Sequence, residues 1–238
     1  MSVSQKEIAF NILNTLRGGR STHNDHISLE QVKFNVDHYR AMLIRRDFQR
    51  NGRITRHFEQ DLGCIDLTAV NASKCCGLPL DCVVYRSVQK IPRTVRFNFM
   101  DAITHVSDVT GMNTIPMIDS IAVQLLPHDR FTKNDKKAYM IEDYLYIYNP
   151  GGMEVVNVRG ILERPSDAAA FNCDGGNCYD EDSAYPLAAD MISAITEGLV
   201  NGTFMMMRNT ATDTENDNIE GNHAQATQSQ SNKKGQGE

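Results

Sequence analysis

The sequence predicts an α+β fold with an N-terminal helical bundle, a central antiparallel β-rich part and a closing C-terminal helix. Apolar residues recur every three or four positions before Gly63, alternate with polar ones after it, and return to helical spacing after Pro186. Helical and strand-like segments are therefore segregated along the chain instead of alternating as β-α-β units. This segregation favours α+β over a parallel α/β sheet.

The first part, residues 1–63, is predicted to be the helical bundle. Apolar residues four positions apart form three successive stripes with the period of a helix. The stripes are Ile8, Ile12 and Leu16; Val32, Val36, Tyr39 and Leu43; and Ile54, Phe58 and Leu62. Ser28 and Gln31 have the spacing of a capping box, which predicts the start of the second helix. Such helices must pack together or on neighbours to bury their stripes.

Residues 64–165 are predicted to form the antiparallel β-rich part. Three stretches have the pattern of strands, because their apolar and polar residues alternate or their composition is that of an extended chain. They are CIDLTAV at 64–70, DCVVYRS at 81–87 and TVRFNF at 94–99. In the last stretch Val95, Phe97 and Phe99 should share one face. Residues 100–126 fit either strands or a short helix, and strands are the favoured interpretation.

A three-strand antiparallel meander is predicted within residues 138–162. Glu142-Asp143 provides the first turn, and Asn149-Pro150-Gly151-Gly152 provides the second. The glycine pair could also suggest a phosphate-binding loop, which requires a helix after the glycines. The following residues, MEVVNVRGIL, are strand-like, so the sequence favours a turn.

Residues 166–207 are predicted to form an acidic loop and a C-terminal helix that packs back on the helical part. Pro186 stands at a favourable first helical position. The stripe of this helix is Leu187, Met191, Ile195 and Leu199. Residues 208–238 contain almost no apolar side chains. They are predicted to form a flexible polar tail that is disordered alone or docks along a partner.

The chain contains no catalytic motif and no cofactor-binding motif that we recognise. Neither G-x-S-x-G nor H-E-x-x-H occurs, and no nucleophile–base set can be assembled, so no enzymatic activity and no cofactor are expected. A membrane span would need an apolar run of about 18 residues, which the sequence lacks. The N-terminus has no apolar core of a secretory signal, which predicts use in a cytoplasm or in an assembly made there.

The six cysteines raise the question of a structural metal site. Cys75, Cys82, Cys173 and Cys178 are weak candidates for zinc ligands, because the chain has no C-x₂-C pair and Cys75-Cys76 are adjacent. Buried thiols are the favoured interpretation, and a disulfide is possible in an oxidising setting. The alternative function is a zinc-stabilised, cysteine-rich module that binds nucleic acid or protein.

Charge is distributed unevenly along the chain. Residues 1–62 carry 10 Lys and Arg against 7 Asp and Glu, whereas residues 63–207 carry 11 against 18. Such asymmetry is typical of a protein with different partners on different sides. Arg46, Arg50 and Arg53 have i, i+4, i+7 spacing and are candidates to grip an acidic partner or DNA. The alternative is a solvated helix face, and specific nucleic-acid recognition is disfavoured because no known module is present.

Several segments resemble virion structural proteins of crAss-like bacteriophages. The resemblance covers most of residues 7–218. It is carried by EIAFNILNTLRGGRSTHNDHISLEQVKFNVDHYRAMLIRRDF, HFEQDLGCIDLTAV, YRSVQKIPRTV, MEVVNVRGILERPSDAAAF, YPLAADMISAITEGLV and TENDN. Such proteins are similar to the head–tail connector, or ring protein, that docks under the portal.

The resemblance implies a homo-oligomeric ring of twelve copies in the neck of the virion, assembled in the host bacterial cytoplasm. Its implied neighbours are the portal and further ring or tail-hub proteins. Genomic DNA is implied only as cargo that passes through the lumen, and no membrane is implied.

The meander, whose third strand follows the glycine turn, or alternatively the polar tail is expected to reach a neighbour, by strand addition or extended docking. On that strand Val156 and Val158 should face one side of the sheet. Asn157 and Arg159 should face the other side. The candidate contact residues in the two segments are Val156, Val158, Arg159, Asp213, Asn216 and Asp217.

Overall fold

Helices from both ends of the chain accompany a six-stranded antiparallel sheet, as the computed structural model shows. The structure describes residues 3–18, 27–71, 83–98, 100–128, 130–132 and 134–204. The helices are α1 (Gln5–Leu16), α2 (Leu29–Asn51), α3 (Ser120–Val123) and α4 (Ala189–Gly198). The strands are β1 (Gln60–Asn71), β2 (Val83–Ser87), β3 (Arg96–Phe97), β4 (Met100–Asp101), β5 (Ile103–Ser107), β6 (Lys137–Ile141), β7 (Tyr144–Tyr148), β8 (Val155–Gly160), β9 (Asn172–Cys173) and β10 (Gly176–Asn177). The predicted α+β class is confirmed.

Local capping chemistry fixes the starts of the first two helices. The Ser28 hydroxyl accepts a hydrogen bond from the Gln31 amide at 3.2 Å, so the predicted start of α2 is confirmed. At α1 the Ser4 hydroxyl accepts from the Glu7 amide, and the Glu7 carboxylate accepts from the Ser4 amide. This full capping box was not anticipated from the sequence.

The third predicted helical stripe is wrong. Gly52 adopts a φ of 64° and ends α2, and only a 3₁₀ turn at Arg56–Phe58 separates it from β1. Leu62 is therefore buried from a strand. Apolar residues four positions apart lie on one face of a helix and also on one face of a strand, so their spacing did not distinguish the two.

The main sheet has the strand order β5-β8-β1-β2-β7-β6. The predicted turn at Glu142-Asp143 joins β6 and β7 as neighbours, which is confirmed. The predicted meander fails at its third strand, because β8 pairs with β1 and β5 while β1 and β2 lie between β7 and β8. The turn at residues 149–152 therefore redirects the chain within the sheet and does not form a hairpin.

One segment bridges the two outer strands of the main sheet. The Ile115 amide donates to the Val106 carbonyl of β5 at 2.7 Å, and Ala138 of β6 exchanges hydrogen bonds with Pro116 and Ile118. Both edges are thus hydrogen-bonded at these positions, which limits strand addition by another chain.

Residues 100–126 combine short strands with a short helix, so the preference for strands is wrong over α3. Asp119 caps α3 through its carboxylate, which accepts from the Ile121 amide at 3.1 Å. Val123 then packs with tyrosines of β6 and β7. The predicted shared face of residues 95–99 holds for Val95 and Phe97, which are buried, whereas Phe99 lies outside the described residues.

Apolar contacts join the helices to one another and to the sheet. α1, α2 and α4 share a buried cluster that includes Ile8, Val36 and Ile195. A second cluster joins α2 to the β3–β4 hairpin and to residues that flank the main sheet, and within it the rings of Phe48 and Phe97 lie 4.3 Å apart. Burial of these stripes holds α2 between the other helices and the sheet.

Candidate interaction surfaces

A fully buried arginine anchors α2 to three separate segments of the chain. The guanidinium of Arg40 donates to the carbonyls of Leu162 at 2.8 Å, Phe58 at 3.1 Å and Pro186 at 2.8 Å. These carbonyls lie after β8, before β1 and before α4. A buried cation needs such hydrogen bonds to offset its loss of hydration. Burial still lowers the pKa of Arg40 from its usual value.

Asp37, one turn before Arg40 on α2, completes this buried network. Its carboxylate accepts hydrogen bonds from Gln5 of α1 at 2.9 Å and from the Tyr185 hydroxyl at 2.7 Å. Burial raises the pKa of Asp37, against the opposing effects of Tyr185 and Arg40. Burial, followed by the charge of Asp37, also raises the pKa of Tyr185 well above its usual value. The network makes α2 a firmly held support for the surface around it.

Exposed arginines surround the C-terminal end of α2. Arg46 and Arg50 lie on the exposed side of the helix, while Arg53 and Arg56 follow it in the connection to β1. Because Gly52 ends the helix, Arg53 does not continue the helical face that the sequence predicted. In the described part of the chain, none of these four arginines has a carboxylate within 4.0 Å. We name these four residues the arginine patch.

A cleft of about 590 Å³ opens between the β3–β4 hairpin and the β6–β7 turn. Its charged lining consists of Arg93, Arg96, Asp101, Glu142, Asp143 and Glu163. Asp101 pairs with Arg96 at 3.4 Å, and Glu163 pairs with Arg45 of α2 at 3.0 Å. Glu142 and Asp143 are exposed and make no ion pair with any described residue. We name this site the polar cleft.

The turn that carries these two carboxylates has an unusual backbone for its residues. Glu142 and Asp143 adopt φ values of 51° and 67°. Two-residue hairpins with positive φ at both positions favour Asn-Gly, because glutamate pays a steric penalty in the left-handed region. The Asp143 carbonyl also accepts from the Ile91 amide at 2.7 Å, which fixes the turn to the preceding segment.

A second exposed feature is the loop at residues 108–113. The Asp108 carboxylate accepts hydrogen bonds from the side chains of Thr110 at 2.7 Å and Asn113 at 2.6 Å. The hydrogen bond from Thr110, and after it the one from Asn113, lowers the pKa of Asp108 to about 2. The ordered loop displays Val109 and Met112, of which Met112 is 87% exposed. It therefore presents a small apolar tip to solvent.

The candidate contact residues of β8 lie on opposite faces of the strand and differ in burial. Val156 and Val158 face one side and Arg159 the other, as predicted. Both valines are 0% exposed and pack in the core of the sheet, so they are not available as a contact surface in this subunit. Arg159 is exposed and pairs with Asp61 at 3.1 Å. The remaining candidates, Asp213, Asn216 and Asp217, lie outside the described residues.

Two of the candidate zinc ligands form a disulfide instead. Cys173 and Cys178 are bonded, with their Cα atoms 4.9 Å apart, and they close the β9–β10 hairpin. Cys75 and Cys82 lie outside the described residues. Within the described ranges, no group of three or more His, Cys, Asp or Glu side chains is placed to hold a metal ion. Nor is any helix in those ranges long and apolar enough to cross a membrane.

The sequence pattern points to the arginines of the patch but not to the polar cleft. The carboxylates of the cleft come from β4, from the β6–β7 turn and from the segment after β8, which are far apart in the sequence. No local pattern signals such a grouping. The one available signal was Glu142-Asp143, two charged residues at a turn where Asn-Gly would fit better.

Comparison with known proteins agrees with the resemblance in the sequence. The family model of phage tail ring protein 2, from the crAss-phage ring proteins, matches residues 7–222. A search among curated proteins finds no match. A tail ring family fits a structural, non-enzymatic virion component that associates with itself, and the zinc-stabilised binding module is not favoured. Because the match spans most of its length, the chain belongs to the phage tail ring protein 2 family.

Proposed function

We propose that the chain closes a homo-oligomeric ring in the neck of the virion, where it joins the portal to the tail. The observation that carries this proposal is the family match over residues 7–222. The ring acts by assembly: it docks on the portal, closes on itself and provides a seat for further ring or tail-hub proteins. It has no catalytic step.

Two surfaces of the subunit support a ring in particular. Closed rings are built from head-to-tail contacts, in which each copy presents two unlike surfaces to its two neighbours. The arginine patch and the polar cleft are unlike in charge and are supplied by different elements. The buried network of Arg40 and Asp37 holds α2 in place, so the helix does not have to be ordered on assembly, and the conformational entropy lost there is that of the arginine side chains.

The proposed ring has twelve copies, and genomic DNA passes through its lumen. The excess of acidic residues over residues 63–207 supports a lumen that repels the phosphate backbone and lets the DNA slide. Assembly of the ring takes place in the host cytoplasm, before the finished particle is released.

Imaging of the intact particle tests this function. Cryo-electron microscopy of the virion, with symmetry imposed only on the neck, should place this fold in a closed ring adjacent to the portal and the tail. A mass measurement on the purified chain, or on its complex with the portal, should give a single large oligomer and its copy number. A chain that stays monomeric and does not bind the portal would contradict the proposal.

A further inference from the structure

The arginine patch is a group of four exposed basic side chains without a carboxylate partner among the described residues. Six basic residues along the described chain pair with a carboxylate within 4.0 Å, namely Lys6, Lys33, Arg45, Arg96, Lys137 and Arg159. Arg46, Arg50, Arg53 and Arg56 do not, although all four are exposed. Guanidinium groups bind carboxylates in a bidentate fashion, so this surface is suited to an acidic partner.

The helix directs the patch away from the polar cleft of the same subunit. Arg45 reaches the cleft through its ion pair with Glu163. Successive residues of an α-helix turn by about 100° around its axis, so Arg46 lies about 100° from Arg45 and Arg50 lies about 140° from it. The two surfaces therefore face different directions, as the two sides of a head-to-tail contact must.

The polar cleft has the size and charge to receive these side chains. Its 590 Å³ falls within the range of about 300–1,000 Å³ that buries whole small ligands. Its carboxylates outnumber its arginines by four to two. Asp101 already pairs with Arg96, and Glu163 with Arg45 from outside the cleft, which leaves Glu142 and Asp143 to accept new donors.

The backbone at Glu142-Asp143 supports the same conclusion independently of charge. A turn with positive φ at both positions is more stable as Asn-Gly, yet this chain places two carboxylates there. Residues that are unfavourable for their backbone are frequently held for a functional reason. Here their side chains line the cleft.

We propose that the arginine patch of one copy docks in the polar cleft of the next copy, with Arg46 and Arg50 donating to Glu142 and Asp143. This inference rests on the proposed ring. The partner is a second copy because the complementary acidic site belongs to the chain itself and faces a different direction from the patch. Duplex DNA is the competing occupant of an exposed arginine patch, and binding of a labelled duplex distinguishes it from a second copy.

Charge reversal and mixing test the contact. Each of two variants, Arg46→Glu with Arg50→Glu and Glu142→Arg with Asp143→Arg, should self-associate roughly 100-fold more weakly than the wild-type chain. An equimolar mixture should regain assembly, because each reversed patch then meets a reversed cleft and each native patch meets a native cleft. Native mass spectrometry should show equal numbers of the two variants in the mixed oligomer, as alternation of the two around the ring requires.

The control matched to the patch variant is Arg130→Glu with Lys136→Glu, which makes the same change in net charge at exposed residues outside both surfaces. Circular dichroism confirms that each variant is folded before assembly is measured. The control should assemble like the wild-type chain. A labelled DNA duplex, added to the wild-type chain and to the patch variant, measures the competing interaction.

The outcomes separate the two proposals. Rescue in the mixture supports the contact. If the wild-type chain assembles and both variants assemble equally well, the contact is wrong while the ring stands. If only the patch variant is impaired, mixing gives no rescue and duplex binding is lost with the patch, the patch binds DNA instead. A wild-type chain that stays monomeric overturns the contact, and one that also fails to bind the portal contradicts the ring as well.

Discussion

The buried carboxyl of Asp37 makes a contribution to the stability of this fold that depends on pH. The folded-state pKa of Asp37 is raised, chiefly by burial. A carboxyl of this kind is neutral in both states below its unfolded pKa of about 3.9, and it then carries no ionisation penalty. As the pH rises, the unfolded chain loses this proton first, so the free energy of unfolding falls until the pH has passed the folded-state pKa.

The substitution Asp37→Asn should remove this pH dependence. Asparagine keeps an oxygen that can accept from Gln5 and Tyr185, and it does not ionise. Above about pH 3.9 the free energy of unfolding of the variant should therefore rise relative to that of the wild type as the pH increases.

Urea denaturation at a series of pH values from about 3.5 to 7 measures this difference. Asp190→Asn, at an exposed position in α4, is the control and should follow the wild-type curve. A difference between Asp37→Asn and wild type that stays constant across the series would show that the buried carboxyl does not control the pH response.

At the scale of elements, a glycine bulge couples β1 to the β9–β10 hairpin. The pairing of β1 with β8 shifts register between Asp61 and Cys64, and Gly63 there has a φ of 65°. A Cβ atom on Gly63 would lie 2.2 Å from the Asn172 carbonyl oxygen, which is far inside normal contact distance. The hairpin can pack on β1 only because this residue has no side chain.

Gly63→Ala should destabilise the fold more than Gly52→Ala. Both glycines have a φ near 65°, so both alanines suffer a left-handed backbone penalty of about 1–2 kcal/mol. Gly52 has open space around its Cβ position, whereas Gly63 adds a clash that typically costs about 1–3 kcal/mol more. Chemical denaturation of the two variants measures the difference, and equal losses would refute the close approach of the hairpin.

The disulfide should stabilise this same hairpin measurably. Cys173 and Cys178 close a short loop, and cross-linking of that length is worth about 2 kcal/mol in chain entropy of the unfolded state. The double variant Cys173→Ser with Cys178→Ser should lose that amount. A reductant should lower the stability of the wild-type chain to a similar extent and leave the double variant unchanged. An equal effect on both proteins would assign it to other cysteines.

The sequence predicted those features that depend on neighbours along the chain. The start of α2 follows from the hydroxyl of Ser28, and the turn between β6 and β7 follows from two polar residues between apolar runs. The faces of β8 follow from alternation. Each of these depends on chemistry within a few residues, which a single sequence contains.

Features that depend on distant segments escaped prediction. Alternation specifies which face of β8 is buried but not which strands lie beside it, so the pairing of β8 with β1 was missed. The polar cleft escaped for the same reason. Asp101, Glu142 and Glu163 meet only after the strands have paired, and nothing near any of them in the sequence indicates the others.

At the scale of the whole molecule, the subunit combines a firmly connected interior with two unlike charged surfaces. The buried Arg40 ties α2 to the segments after β8 and before α4, so the helices and the sheet are held as one unit. A subunit connected in this way keeps its conformation when a ring forms, because few of its internal contacts have to be reorganised on assembly. The choice of neighbour is then made by the charge and shape of the surfaces.

Salt should weaken the association of subunits if the arginine patch and the polar cleft form the contact. The screening length falls from about 10 Å at 0.1 M salt to about 3 Å at 1 M, so attraction between partly exposed charges declines over this range. Sedimentation velocity or mass photometry should show the oligomer dissociating at protein concentrations roughly tenfold higher in 1 M sodium chloride. The variant Val109→Ser with Met112→Ser removes the exposed apolar tip and should keep the same salt response. Association that strengthens with salt, and that is lost in this variant, would instead assign the contact to apolar burial by the loop at residues 108–113.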